Sequence, residues 1–188
     1  MWTQDYLFVL FYVCTCYWFN VLCELDYLII LDRMESIKGD REDLVNFSEW
    51  KVSRKGSNYF ISGNFTYEVD MDDSFSRGIT TAYSPFANSH FIKQPFQLEK
   101  VPMCIFHNTT YKKYIEPTFK GHTNFPEIPA EGLCPIPKGT YFAKDAALDE
   151  KNLPIHMPRG LWRLEEKYFK DKNCIGGLRL FAHIKDKN

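Results

Sequence analysis

Along most of this chain apolar and polar residues alternate with a period of two. Over residues 58–70 the odd positions Tyr59, Ile61, Phe65, Tyr67 and Val69 are apolar, with Gly63 among them, while Ser62, Asn64, Thr66, Glu68 and Asp70 fill most even ones. Side chains of an extended strand point alternately to opposite faces, so this pattern predicts a half-buried strand pair, or one long strand bent at its glycine. Upstream, Trp50 and Val52 alternate with Glu49, Lys51 and Ser53, and Lys55-Gly56-Ser57-Asn58 marks the intervening turn. Near the C-terminus Leu178, Leu180, Ala182 and Ile184 alternate with Arg179, Phe181, His183 and Lys185, the second set being expected to face outward. Leu161-Trp162-Arg163-Leu164 and the polar turn Lys170-Asp171-Lys172-Asn173 complete a predicted hairpin. One stretch departs from this period: Tyr111, Tyr114 and Ile115 sit at helical spacing behind Thr109, a candidate cap, and Pro117 stops the run. The fold predicted is all-β, a two-sheet sandwich or cup with one short helix.

The N-terminus changes the compartment. A run from Tyr6 to Cys23, broken only by Thr15 and Asn20, carries no charge between Asp5 and Glu24. It reads as a signal peptide over residues 1–23, although its first residues hold Asp5 and no Lys or Arg; residues 24–188 then form one domain, large enough to bury a core. Secretion is the expected localisation, with no stable membrane insertion. Three sequons support it, at Asn46, Asn64 and Asn108, and Asn64 falls on the polar face of its strand, where a bulky glycan belongs.

In an oxidising compartment the cysteines Cys104, Cys134 and Cys174 are candidates for bridging. Cys104 follows the strand-like segment ending in Val101-Pro102, and Cys134 opens CPIPKGTYF, the mouth of the next strand. A Cys104–Cys134 bridge would close the helix-bearing excursion between them, worth roughly 3–4 kcal/mol before native strain is subtracted. Pro135 and Pro137 preset the approach and Gly139 frees the backbone to turn. Cys174 is left free, or pairs with Cys23 if the leader is cut earlier.

Charge and composition narrow the function. Lys and Arg number 23 against 24 Asp and Glu, and Asp5 leaves with the leader, so the mature domain is formally neutral and has no stripe to track nucleic acid. The five histidines have no zinc-ligand spacing, no Gly-x-Ser-x-Gly elbow or phosphate loop occurs, and Asp70-Met71-Asp72-Asp73 lacks the glycine and distal glutamate of a calcium loop. The reading is a protein that is not an enzyme and uses neither metal nor cofactor. Its 16 Phe, 11 Tyr and 4 Trp suit either a lined pocket or a filled core.

CPIPKGTY, then Leu153-Pro154, then Pro158-Arg159-Gly160-Leu161-Trp162-Arg163-Leu164-Glu165, then Gly176-Gly177-Leu178-Arg179-Leu180-Phe181-Ala182-His183-Ile184-Lys185, resembles the C-terminal half of the ganglioside activator family. With Thr123-Asn124-Phe125-Pro126 it is more similar to secreted insect proteins related to that activator, including their chemosensory group. The likeness is strongest from about Cys104 to Lys185. It implies a β-cup, an Ig-like sandwich with a splayed apolar interior that holds a lipid or pheromone-like hydrocarbon, and for the insect branch a role in contact chemosensation with a receptor or channel as partner. If so, Tyr59, Ile61, Phe65, Tyr67 and Val69 would face Leu178, Leu180 and Ala182, with Trp162 and Leu164 beside them, around a space of about 300 Å³ or more. The alternative is an extracellular protein-interaction module on a sandwich that holds no ligand, because a core filled by its own side chains shows the same alternation.

Overall fold

A computed structural model of the chain describes residues 26–87, 90–148, 153–154 and 156–187; the expected leader and Cys23 lie outside the described residues. Nine strands occur among them: β1 (Tyr27–Ile37), β2 (Val45–Asn46), β3 (Lys51–Lys55), β4 (Asn58–Tyr67), β5 (Phe75–Ser84), β6 (Ile92–Pro102), β7 (Gly139–Ala146), β8 (Gly160–Lys170) and β9 (Asn173–Asp186). Hydrogen bonds link them in the order β3-β4-β2-β9-β8-β5-β6, with β1 also on β9 and β7 also on β4. The two hairpins predicted from turn residues are present: Lys55 pairs with Asn58, and Lys170 with Asn173.

The ladder is narrowest at β2, where Val45 pairs antiparallel with Tyr67 of β4 and parallel with Gly176 of β9. On one side lie β1-β9-β8-β5-β6; on the other lie β3, β4 and β7. These two groups face one another, since Tyr67 of β4 and Tyr168 of β8 are not ladder neighbours yet hold their rings 5.8 Å apart. The chain is therefore an all-β sandwich. Two glycines make the layers fit. A Cβ on Gly176 (φ 131°) would stand 2.0 Å from the Val45 carbonyl oxygen, and one on Gly63 (φ 144°) would stand 2.3 Å from that of Glu49. A side chain at either place would push the crossing backbone off the sheet.

The helical excursion is longer than the spacing of Tyr111, Tyr114 and Ile115 suggests. An α-helical turn (Met103–Phe106) runs into a π-helical stretch (His107–Ile115) and a second turn (Glu116–Phe119). Thr109 does not cap it; its hydroxyl bonds back to the Ile105 carbonyl at 2.6 Å, and the Cys104 N–H near the true start donates to Asp73 at 2.9 Å. Pro117 sits in the first turn of the closing helix, where no N–H is needed. No helix among the described residues is long and apolar enough to cross a membrane.

Phe181 keeps the expected outward phase at the C-terminus but is covered. It is buried, although it shares the outer face with Arg179 and His183, because the Arg33 guanidinium lies 3.7 Å above its ring and Phe91 packs at 6.3 Å. β6, at one end of the ladder, carries its own protection. Gln97 donates to the Gln94 carbonyl, Gln94 donates to that of Ile92, and Pro95 has no N–H to offer.

Candidate functional site

The ten residues expected to line one space fall into three environments, with Leu164 at the boundary of two. Phe65, Tyr67 and Leu178 belong to a closed core, with Val69 and Leu164 packed against it. Phe65 touches five rings, those of Phe47, Trp50, Tyr67, Phe125 and Tyr141, with centroids 5.3–5.7 Å away. That volume is filled by protein. Accordingly Phe65→Trp should overpack the cluster and cost about 1–3 kcal/mol in urea unfolding. Unchanged stability would show that free space exists there. Ile61 is buried in the smaller layer opposite Val52 and Ala146, and Tyr59 lies near the β3–β4 turn under Arg54.

The remaining three, Trp162, Leu180 and Ala182, come together beside Leu164. Trp162, Leu164, Leu180 and Ala182 share the inner face of the larger sheet; Tyr83 is the cross-strand partner of Trp162, Ala182 that of Trp162 on the other side, and Met34 that of Leu180. The rings of Tyr83 and Trp162 stack at 5.6 Å, and the indole N–H donates to the Pro158 carbonyl at 2.8 Å. All six side chains are half-buried, and Ile92, opposite Tyr83, is 42 % exposed. One register step deeper, Ile79 and Leu178 are buried. The strip is thus an apolar ledge above a closed floor. Elsewhere a shallow cleft beside Tyr111, Lys120 and Phe125 has a volume of about 40 Å³, too small for a chain-like ligand.

Under the ledge lies a polar network that pattern reading missed. The Arg77 guanidinium pairs with Glu166 at 2.5 Å, Tyr168 donates to the same carboxylate oxygen at 2.5 Å, and Tyr67 donates to the Tyr168 hydroxyl at 3.2 Å. Arg77 also lies over Phe106 at 4.1 Å and Tyr168 at 5.0 Å. Burial pushes the Tyr67 phenol up to about 12, so it remains a donor at any physiological pH. A signal was available: Arg77 has the inward parity of Phe75 and Ile79, and Glu166 that of Leu164 and Tyr168. Charges on the apolar face of a strand imply a buried pair. Beside them His107 is fully buried between Tyr111 and Phe125, its Nδ1 3.1 Å from the Met103 carbonyl.

The disulfide joins Cys104 to Cys134 with Cα atoms 5.4 Å apart, as the excursion's ends suggest, and Cys174 is a buried free thiol. Past the bridge the Cys134–Pro135 peptide is cis, Ile136 exchanges both backbone bonds with Met71, and Tyr141 donates to the Pro137 carbonyl. The elbow thus ties the excursion to the turn after β4 and delivers β7 to its ladder. Asp73 stands within 4.8 Å of both bridged sulfurs, but the sulfurs are bonded to each other and its carboxylate holds the Cys104 N–H. Asp70 accepts from the Lys138 N–H and Asp72 from Ser74, so the aspartate run pins backbone.

Of the sequon asparagines, Asn64 is exposed on β4 and donates to Glu49. Asn46 is half-buried and accepts from the Ser48 N–H at 2.7 Å; Asn108 is half-buried and accepts from the Leu133 N–H at 2.9 Å. Comparison with curated proteins finds no match. Residues 79–164, from β5 through the bridged excursion into β8, match the family described as "Protein of unknown function (DUF1091)".

Proposed function

We propose that the protein is a secreted, non-enzymatic carrier or presenter of a hydrophobic small molecule, a lipid or pheromone-like hydrocarbon, held on the ledge of Met34, Tyr83, Trp162, Leu164, Leu180 and Ala182. The observation that carries this reading is the partial exposure of six neighbouring apolar side chains on the inner face of a sandwich whose floor is closed. An interior surface of this kind favours an apolar chain, because covering it gains about 25 cal/mol per Å². Presentation to a chemosensory receptor or channel is the role that the likeness to the insect proteins implies.

The test is native mass spectrometry of the secreted protein, followed by binding of a fluorescent fatty-acid probe. A co-purifying lipid or saturable probe binding is expected. Leu180→Lys places an ammonium group on the ledge and should weaken the probe by roughly 30–100-fold, equivalent to about 2–3 kcal/mol, with the far-ultraviolet spectrum unchanged. The exposed Phe96 and Ile92 of β6, 66 % and 42 % accessible, favour the second reading, an extracellular interaction module without a ligand. Absence of both lipid and probe binding in the parent protein would leave that module.

A further inference from the structure

The outer face of the smaller layer carries its own pairing. Across the ladder from Asn64 stands Phe142 of β7, 42 % exposed. The Phe142 N–H donates to Asn124 at 2.7 Å, and its carbonyl accepts from the Thr123 hydroxyl at 2.5 Å. Its backbone groups therefore point away from β4, which makes Asn64 and Phe142 a non-hydrogen-bonded pair. In an antiparallel ladder such pairs have the closest side chains, with Cα atoms about 4.5 Å apart. The third sequon residue, Thr66, lies on the same face beside Thr140, their hydroxyls 3.0 Å apart.

We propose that Asn64 carries an N-linked glycan whose first sugar rests on the exposed ring of Phe142. The face of a pyranose offers C–H groups of partial positive charge, and the face of a phenyl ring is negative, so the two attract while covering the ring. This inference rests on the secreted reading, because the sugar donor, a lipid-linked oligosaccharide diphosphate, belongs to the secretory pathway. In the transfer the Asn64 amide nitrogen bonds to the anomeric carbon, the carbon–oxygen bond to the diphosphate breaks, and the amide gives up one proton as the lipid diphosphate leaves. The remaining amide N–H can still donate to Glu49.

The same geometry ranks the three sequons. At Asn108 the amide is walled in, since a Cβ on Gly132 would stand 2.9 Å from its nitrogen and its oxygen already holds Leu133. Asn46 lies in β2, at the joint between the layers. Neither has an exposed aromatic partner across a ladder comparable to Phe142.

The experiment produces the full chain in eukaryotic secretory cells and maps glycans by peptide mass spectrometry, then compares melting of the parent, Asn64→Gln, Phe142→Ala and the double variant. Expected are near-complete occupancy of Asn64, little at Asn108, and a loss of about 2–4 °C on Asn64→Gln that vanishes when Phe142 is already alanine. Phe142→Tyr, which keeps the ring, should retain the difference and guards against a fold weakened by truncation. A secreted protein bare at Asn64 but glycosylated at Asn46 or Asn108 overturns the site. An Asn64→Gln loss equal with and without the ring overturns the sugar–ring contact. Retention inside the cell with all three sequons bare overturns the secreted reading and this inference with it.

Discussion

Truncating Glu166 to alanine should destabilise the fold by roughly 3–5 kcal/mol, close to the whole stability of many domains. The cost comes from what would remain. Arg77 and Glu166 are both almost fully buried, and their 2.5 Å contact is the guanidinium's ionic partner among the described residues. Burial works against the Arg77 charge, but Glu166 outweighs it and holds the guanidinium firmly protonated. Without the carboxylate, a cation would stay enclosed by Phe106 and Tyr168, and the Tyr168 hydroxyl would lose its acceptor. Replacing both members by apolar residues, as in Arg77→Met with Glu166→Leu, should cost far less than the sum of the single losses. Chemical denaturation of the two single variants and the double variant measures the coupling; additive losses would show that the pair is not a unit.

The network also shapes the ledge. Glu166 is two residues from Leu164 on the same strand face, so the closed floor is polar at its centre and apolar around it. A filled core of this kind keeps the larger sheet rigid beneath the ledge. A carrier needs such rigidity if its apolar surface is to stay open when unoccupied. A substitution in the network therefore reports on folding, whereas Leu180→Lys on the ledge reports on binding.

Strand phase was legible in the sequence because one face is buried along most of the chain, and a slip by one residue would expose every apolar side chain. Hence Asn64 faces solvent, Tyr67 faces the core, and the turns at Gly56-Ser57 and Asp171-Lys172 fall where their residue types place them. The bridge was legible because its cysteines bound an excursion in a chain with few alternatives. Phase alone could not tell a residue that fills the core from one that lines an opening, since Leu178 and Leu180 share a face and differ only in what crosses above them. What fills the lower half comes from distant segments, Phe47 after β2, Phe125 after the helix and Tyr141 in β7. The burial of Phe181 was not legible for the same reason: it keeps its outward phase, and its cover comes from Arg33 and Phe91, far away in sequence. The helical excursion was under-read because its start depends on Asp73, some thirty residues upstream, rather than on a local cap.

His107 should make the protein acid-labile well before its carboxylates titrate. Its ring is fully buried and stacks on Tyr111 and Phe125, and Nδ1 meets the Met103 carbonyl, so Nδ1 carries the proton and Nε2 is left as a buried acceptor with no partner among the described residues. Desolvation first, and then the nearby Arg77 charge, push its pKa down to about 3, while the Met103 carbonyl opposes them. In the unfolded chain the same imidazole takes up its proton near 6.5. The folded pKa is the lower of the two, so the neutral ring's contribution is complete above about pH 6.5 and is lost as pH falls toward 3. Across the whole window the loss amounts to about 4–5 kcal/mol, and between pH 6.5 and 5 to about 2 kcal/mol. Urea unfolding at pH 7, 6 and 5 should show that slope in the parent protein. His107→Phe keeps the stacking and cannot be protonated, so its stability should be flat over the same range even if its value at pH 7 is lower by the lost bond to Met103. Equal slopes in the two proteins, or an imidazole seen by NMR to titrate near 6.5 in the folded state, would remove His107 as the cause.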